Sequence, residues 1–406
     1  MTTQHPGRRR HRPLRTILIA GASVVGVIAI GAVAVLTVGG LFVPAVYLQP
    51  WSTTYSQQFS DPRMQVVAQA LLAPSGHNMQ PWLVRLDESD PDELSLYADA
   101  DRLTPAVDPQ GRQTMVTQGA FLAYLEISAA HLGYTATFDL FPEGSYDESD
   151  LDRSMRERPV ARITLSQDAP SDPTDYESLF LSDTNRAPYT AAPLTPAETL
   201  SLDGLDADST ATLSILADRA DKATLGDLAE QGTLIETEYA AATAESNAVF
   251  HSTEQSKNEA RSGFAVEGQG TSGPMMYLLQ GLITIVPAVN DDATAARNAI
   301  ALTADGVANT AAYGLIETAS NSRVEQVQAG MLYAQLSLRA RTLGLVVQPL
   351  SQVLQEYPSM AAPFEAIHEQ YAPRGQTIQM LVRIGTPTTE FPLTMRRDAS
   401  SLVVTP

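Results

Sequence analysis

The chain has 406 residues, ample for a large buried core, and its 44% hydrophobic and 18% charged residues exclude wholesale disorder. It contains no cysteine, which excludes disulfides, thiolate metal sites and cysteine nucleophiles together. The net charge is -20, and setting aside the five arginines of the first sixteen residues leaves the remainder at -25, a charge that repels phosphate backbones and excludes nucleic acid as a partner.

Residues 1–16 form a basic tail carrying Arg8, Arg9, Arg10, Arg12 and Arg15. A predicted transmembrane helix or signal anchor follows over residues 17–40. Ile17 to Val38 is a run of 22 residues without a charge, long enough at about 1.5 Å per residue to cross a core of roughly 30 Å. The arginines precede the span, so the positive-inside rule sets a single pass through the cell membrane, with the N-terminus cytoplasmic and the C-terminal body extracytoplasmic. A cleaved signal peptide is the alternative, with Ala32-Val33-Ala34 as its processing site. The apolar run exceeds the roughly 7–15 residues usual for one.

Residues 41–60 read as a linker, with Tyr47, Trp51 and Tyr55 placed near the membrane interface. Met64 to Leu72 is a predicted helix ended by Pro74 and Gly76. Trp82 to Leu86 and Leu94 to Ala98 alternate as two strands of a hairpin, Gly119 to Leu132 is helical, and Tyr134 to Phe141 and Val160 to Leu165 are strands. A Ser/Asp/Pro stretch near residue 170 divides a first half, 61–170, from a second, 171–406. In the second half Thr195 caps a helix from Pro196, Thr210 to Leu216 is a strand, and Ala220 to Phe250 is largely helical. His251 to Gly273 is polar, Gly-rich and poorly periodic, the pattern of a mobile loop or lid. The apolar run Tyr277 to Val289 is too short to span a membrane and reads as a core or lid helix. A strand at Ala312 to Thr318, a long helix from Gln326 to Leu343 and a strand at Gln379 to Ile384 close the chain. The class is α+β with a mixed sheet.

The richest chemistry lies in Ala73-Pro74-Ser75-Gly76-His77-Asn78-Met79-Gln80-Pro81-Trp82. Asn78 and Gln80 each carry a donor and an acceptor, and two residues apart in extended backbone they point the same way, which suits the edge of a flat heterocycle. The alternative is a structural turn whose polar side chains satisfy backbone groups. Gly268-Gln-Gly270-Thr-Ser-Gly273 has dinucleotide-loop spacing, but the polar residues before it are no buried strand, which argues against a Rossmann site. The six histidines are scattered, so no metal site is expected.

The loop resembles the flavin loop of the nitroreductase superfamily, and more narrowly that of the Acg-type FMN-binding nitroreductase-like proteins of actinobacteria. The resemblance continues through Leu96, Ala98-Asp99, Asp101-Arg102, Asp108 to Arg112 and Gly119-Ala-Phe-Leu. It extends to Asp183-Thr-Asn-Arg-Ala-Pro-Tyr189, Gly330 through Gly344 to Gln352, Leu381 to Gly385, and Arg396-Arg397. It implies a nitroreductase-like α+β fold of two pseudo-symmetric halves, preceded here by the membrane helix.

The resemblance also implies an FMN site. Ser75, His77, Asn78 and Gln80 would follow the ribityl chain and pyrimidine edge, and Asn185 and Arg186 would help hold phosphate and ring. Pro349, Leu350 and Ser351 form the turn near the reactive flavin nitrogen, and Arg396 or Arg397 would contact the phosphate. No side chain is implied as a catalytic nucleophile, because the cofactor does the chemistry. The Arg-x-Ser-x-Arg-like opening of dimeric nitroreductases is absent from residues 45 to 63. One chain is therefore expected to carry both halves of one FMN site, as a monomeric pseudo-dimer. The implied function is a membrane-anchored FMN-dependent oxidoreductase, taking electrons from NAD(P)H or another donor and passing them to a quinone or nitro-type acceptor. The alternatives are a protein that binds or sequesters FMN without turnover, and a membrane-tethered interaction domain with a degenerate pocket.

Overall fold

A computed structural model describes residues 29–182, 184–207 and 209–404. Trp82–Leu86 (β1) and Glu93–Ala98 (β2) form the expected hairpin, in register from Trp82 opposite Ala98 to Leu86 opposite Leu94. Ala161–Gln167 (β4) joins β2 to Tyr134–Leu140 (β3), giving the order β1-β2-β4-β3. Thr212–Leu216 (β5), Ala312–Thr318 (β6), Val346–Pro349 (β7) and Thr377–Gly385 (β8) repeat that order as β5-β6-β8-β7. The class is α+β, but every strand pair in both sheets is antiparallel, where the sequence predicts a mixed sheet. Long connections separate β2 from β4, β5 from β6 and β6 from β8, but each returns its strand antiparallel to its neighbour. Isolated parallel bridges join Val84 to Val403 and Phe250 to Phe264.

Each half places one long helix between its second and third strands: Arg112–Leu132 (α3) in the first and Arg323–Thr342 (α11) in the second. They cross at two glycines. A Cβ on Gly119 would strike the carbonyl of Val327, and one on Gly330 the carbonyl of Val116. This crossing joins the two halves, and Val327, Ala334 and Leu338 of α11 enter the core of the first sheet beside Trp82 and Phe121. Gly133 (φ 86°) ends α3 in the left-handed conformation that a helix stop favours. The helix before the loop, α2, spans Pro62–Ala70, with Asp61 accepting from the Arg63 amide as its N-cap.

Between β5 and β6 lies an all-helical insertion: Arg219–Glu238 (α6), Ala240–Ala248 (α7), Glu254–Ala260 (α8), Gly273–Ile285 (α9) and Asp292–Ala308 (α10). It corrects the reading of His251 to Gly273 as a loop. Thr253 caps α8, and Glu254 and Lys257 are fully buried. Lys257 pairs with Glu254 and donates to Glu267 Oε1 at 3.1 Å, while Tyr47 Oη and Gln280 Nε2 donate to Glu254 at 2.9 and 3.1 Å. The segment reads as polar because its polar groups satisfy one another inside the protein.

Residues 41–60 are docked on the body. Tyr47 and Trp51 are buried, Trp51 Nε1 donates to Thr394 O at 2.8 Å, and Tyr55 Oη accepts from the Ala399 amide at 3.1 Å. Residues 29–38 are helical (α1), while residues 1–28, including most of the expected transmembrane span, lie outside the described residues. Among the described residues, no helix is long and apolar enough to cross a membrane.

Candidate functional site

A cavity of about 340 Å³ opens where the two halves meet the helical insertion. That is within the roughly 300–1,000 Å³ range of small-molecule sites. Its first wall is the loop after α2, Pro74 to Asn78, backed by Gln113, Val116 and Thr117 of α3. Opposite stand Pro349, the last residue of β7, and Ser351, Gln352 and Gln355, which follow it. Thr184 and Arg186, Gly263 to Ala265, Glu267 to Gln269, and Phe391, Thr394 and Met395 complete it, with Glu236 of α6 and Tyr333 of α11.

The loop holds an unusual backbone. His77, Asn78 and Gln80 have φ of 50°, 51° and 52°, three of the five described non-glycine residues with positive φ. A fourth, Arg261, contacts the same loop: its carbonyl accepts from Gln80 Nε2 at 2.8 Å. Left-handed backbone costs such residues on the order of 1 kcal/mol or more each, so it persists only where surroundings over-determine it. Those surroundings are explicit. Ser75 Oγ accepts from the Gln80 amide at 3.0 Å, Asn78 Nδ2 donates to Gly263 O and Met395 O at 2.9 and 3.0 Å, and Gln80 Oε1 accepts from the Arg397 amide at 2.8 Å.

The terminal arginines stand behind this loop, fully or nearly buried. Arg396 Nη1 donates to Asn78 Oδ1 at 2.9 Å and Nη2 to Leu72 O at 2.9 Å, with its guanidinium 4.5 Å over the Trp51 ring. Arg397 Nη1 donates to Gln80 O and Trp82 O at 3.0 and 3.1 Å. Burial, with the nearby Arg102 charge, lowers Arg397 to about 10. Neither is a solvated chain end. Both hold carbonyls of the strained loop in place.

Of the residues singled out in the sequence, Ser75, His77, Asn78, Arg186, Pro349 and Ser351 share the cavity wall. Gln80, Asn185, Leu350, Arg396 and Arg397 lie behind it. Asn185 is fully buried, donating to Thr389 O at 2.8 Å and accepting from the Ala187 amide at 2.9 Å. The Leu350 amide donates to Leu381 O at 2.8 Å, and its side chain joins the second-half core. Sequence reasoning missed Gln113, Thr117, Glu236, Gln352, Gln355 and Phe391. Only the Gly-rich stretch 263–269 carried a signal, and it serves as wall rather than loose lid. Gly268 lies within a 3₁₀ turn and Gly270 caps it, with no strand before it, so the dinucleotide spacing there is coincidental.

The electrostatics are mixed. Burial and the Arg186 charge pull His77 down to about 4, so its imidazole is neutral; Nε2 lies 3.3 Å from Ser246 Oγ. Arg186 Nη1 donates to Gly268 O at 3.2 Å. Burial raises Glu236 and, against the pull of Lys257, Glu267. Three wall oxygens, Glu267 Oε2, Gln352 Oε1 and Gln355 Oε1, are buried without a hydrogen-bond partner. Among the described residues, no group of three or more His, Asp or Glu side chains could hold a metal ion.

Fold and cavity together define an α+β protein of two like halves that share one cavity within a single chain. Relatives narrow the class. No family model matches the chain. A Mycobacterium tuberculosis protein named "Putative NAD(P)H nitroreductase acg" is 36% identical over 73 residues, 18% of this chain and 21% of that one. A second NAD(P)H nitroreductase so named there is 35% identical over 78 residues, 19% of this chain and 22% of its own. An uncharacterized protein of the same organism is 31% identical over 99 residues, 24% and 28% of the two chains. The chain thus spans about a quarter of the length of these relatives. Over that quarter it is similar to the Acg-type nitroreductase-like proteins of actinobacteria, which bears out the resemblance carried by its motifs. A solved nitroreductase-titled structure from Anabaena variabilis aligns over 84% of this chain and 91% of its own. At 12% identity and a TM-score of 0.32 that alignment carries no argument.

Proposed function

We propose that the cavity holds FMN and that the chain is a nitroreductase-like oxidoreductase, anchored in the cell membrane by residues 17–40 with its body outside. The observation that carries the cofactor reading is the set of unpartnered wall oxygens on Glu267, Gln352 and Gln355. A buried acceptor without a donor costs about 1–3 kcal/mol, so three on residues lining one cavity favour a ligand that brings donors. The donor set fits FMN: a ring N–H and ribityl hydroxyls for those oxygens, a flat ring between apolar walls, and a phosphate for Arg186. A fixed guanidinium fork suits phosphate, and its charge favours an anionic ligand.

When bound, FMN supplies reversible two-electron transfer between NAD(P)H or another donor and a quinone or nitro-type acceptor. The chain's own residues bind and orient. Ser75, His77 and Asn78 present a rigid edge, held from behind by Gln80, Arg396 and Arg397. The phosphate falls to Arg186, because it lines the cavity while the two terminal arginines lie behind the wall. Neutral His77 adds no charge of its own beside Arg186.

A second reading, FMN held without turnover, draws support from the cover. Gly263 to Gln269 is tied down through the buried Lys257–Glu267 pair, which restricts access by a nicotinamide. The purified full chain is expected to be yellow and to release FMN on denaturation. A colourless protein that leaves added FMN fluorescence unchanged overturns both readings. Anaerobic addition of NAD(P)H separates them: bleaching supports the oxidoreductase, and resistance to NAD(P)H with bleaching by dithionite supports the holder.

A further inference from the structure

Helix α9 is unlike the other helices of the insertion. It lies in a run of 23 residues without a charge, Gly268 to Asn290, in a chain that is 18% charged. Its outer side and the turn after it leave Met275, Leu282, Ile285, Val286 and Val289 between 36% and 55% exposed. An apolar patch of this kind on an otherwise acidic protein marks a contact surface.

What covers it follows from its neighbour. A Cβ on Gly39 would strike the carbonyl of Tyr277, and one on Gly281 the carbonyl of Val35, so α9 runs antiparallel to α1 with the two backbones in contact. Gln280 Nε2 fixes the pair, donating to Gly39 O at 2.7 Å. Beyond Gly281, α9 therefore descends beside residues 29–34. At about 1.5 Å per residue, Ile285 lies roughly 6 Å past the contact and Ile30 roughly 7.5 Å, so the Val286 to Val289 tip is level with the start of described α1. Residues 29–34 are apolar and each of them is exposed, and the preceding residues 17–28 continue the uncharged sequence. A helix apolar all round is covered by the core of a large protein or by lipid, and the exposure of residues 29–34 on this protein leaves lipid.

We propose that the end of α9 and its Val286–Val289 tip insert into the outer leaflet beside the N-terminal helix, giving the body a second membrane contact. This rests on the anchoring part of the proposed function and is independent of the flavin. The first charges past the tip are Asp291 and Asp292, both acidic, so attachment depends on apolar burial rather than on anionic headgroups. The contact also fixes the body's orientation, because Gly268 and Gln269 of the cavity wall lead directly into α9.

The absence of cysteine makes the test direct. Full-length chains bearing single substitutions Ile30→Cys, Ile285→Cys, Val289→Cys or Leu200→Cys are labelled with an environment-sensitive fluorophore and reconstituted in phosphatidylcholine vesicles. Leu200, 75% exposed on Pro196–Asp203 (α5), is the control. Expected are blue-shifted emission at positions 30, 285 and 289, quenched by brominated phosphatidylcholine, and water-like emission at 200. Lipid signals at 30 with water-like signals at 285 and 289 overturn the second contact and leave the anchor standing. Water-like signals at all four overturn both. A blue shift at 285 that brominated lipid leaves unquenched assigns the patch to a second copy of the chain and also overturns the proposal.

Discussion

His77 combines backbone strain, a cavity position and a perturbed imidazole, and its titration gives a signed prediction. Its folded value of about 4 lies below the ordinary value near 6.5, so between the two the unfolded chain takes up a proton that the folded chain refuses. Stability at this residue is therefore lost as pH falls from about 6.5 toward 4. Raised Glu236 and Glu267 act oppositely, losing their contribution as pH rises above the carboxylate range. Comparison with His77→Asn isolates the imidazole, because Asn tolerates positive φ. The drop in Tm between pH 7 and pH 5 should be smaller in the variant; an equal drop means the imidazole titrates normally. Gln80 tests the loop itself. Gln80→Ala strands the buried Arg397 amide and should lower unfolding free energy by about 1–3 kcal/mol in urea titrations. Arg186→Ala tests the phosphate assignment: losing a charge-assisted contact of about 1.5–3 kcal/mol weakens FMN binding roughly 10- to 150-fold by fluorescence titration. Unchanged affinity would move the phosphate elsewhere in the cavity.

Among the elements, the α3–α11 crossing sets the relation of the two halves and carries Val116, Thr117 and Tyr333 to the cavity. Gly330→Ala gains about 1 kcal/mol of helix propensity, but the new methyl meets a main-chain carbonyl that cannot swing aside. Overpacking of about 1–3 kcal/mol should prevail, with a lower urea midpoint, whereas Gly204→Ala, in right-handed backbone facing open space, should leave it unlowered or slightly raised. An unshifted midpoint for Gly330→Ala would show that the helices separate freely. Legibility in the sequence follows the same physics. Strands β1 and β6 were readable to the residue because half-buried alternation or dense apolar runs are local signals. Leu151–Glu157 (α4) and Ala361–Tyr371 (α12) were not, since short helices mixing charged and apolar residues show little periodicity. The polarity of α8 is resolved only by partners far away in sequence, such as Tyr47 and Gln280. The cavity follows that rule: the loop at Ser75 announces itself, while Glu236, Gln352 and Phe391 reach it only through the fold.

For the molecule as a whole, the decisive feature is that one chain supplies both sides of the cavity. Ser75 to Asn78 come from the first half and Pro349 to Gln355 from the second, and the crossing of α3 and α11 brings them face to face. A site shared between subunits loses ligand on dilution, because dissociation removes one wall. A site within one chain does not. FMN should therefore bind at one per chain, with a dissociation constant unchanged over a hundredfold range of protein concentration. The strongly acidic body favours that state, since a net charge of -20 opposes self-association at low salt. The measurement is flavin absorbance per chain, combined with light scattering of the detergent-solubilised protein at two concentrations. Half a flavin per chain, or affinity that falls with dilution, would place the second wall in a partner and return the cavity to a dimeric plan. One flavin on a monomer makes the repeated strand order of the two halves sufficient for the site.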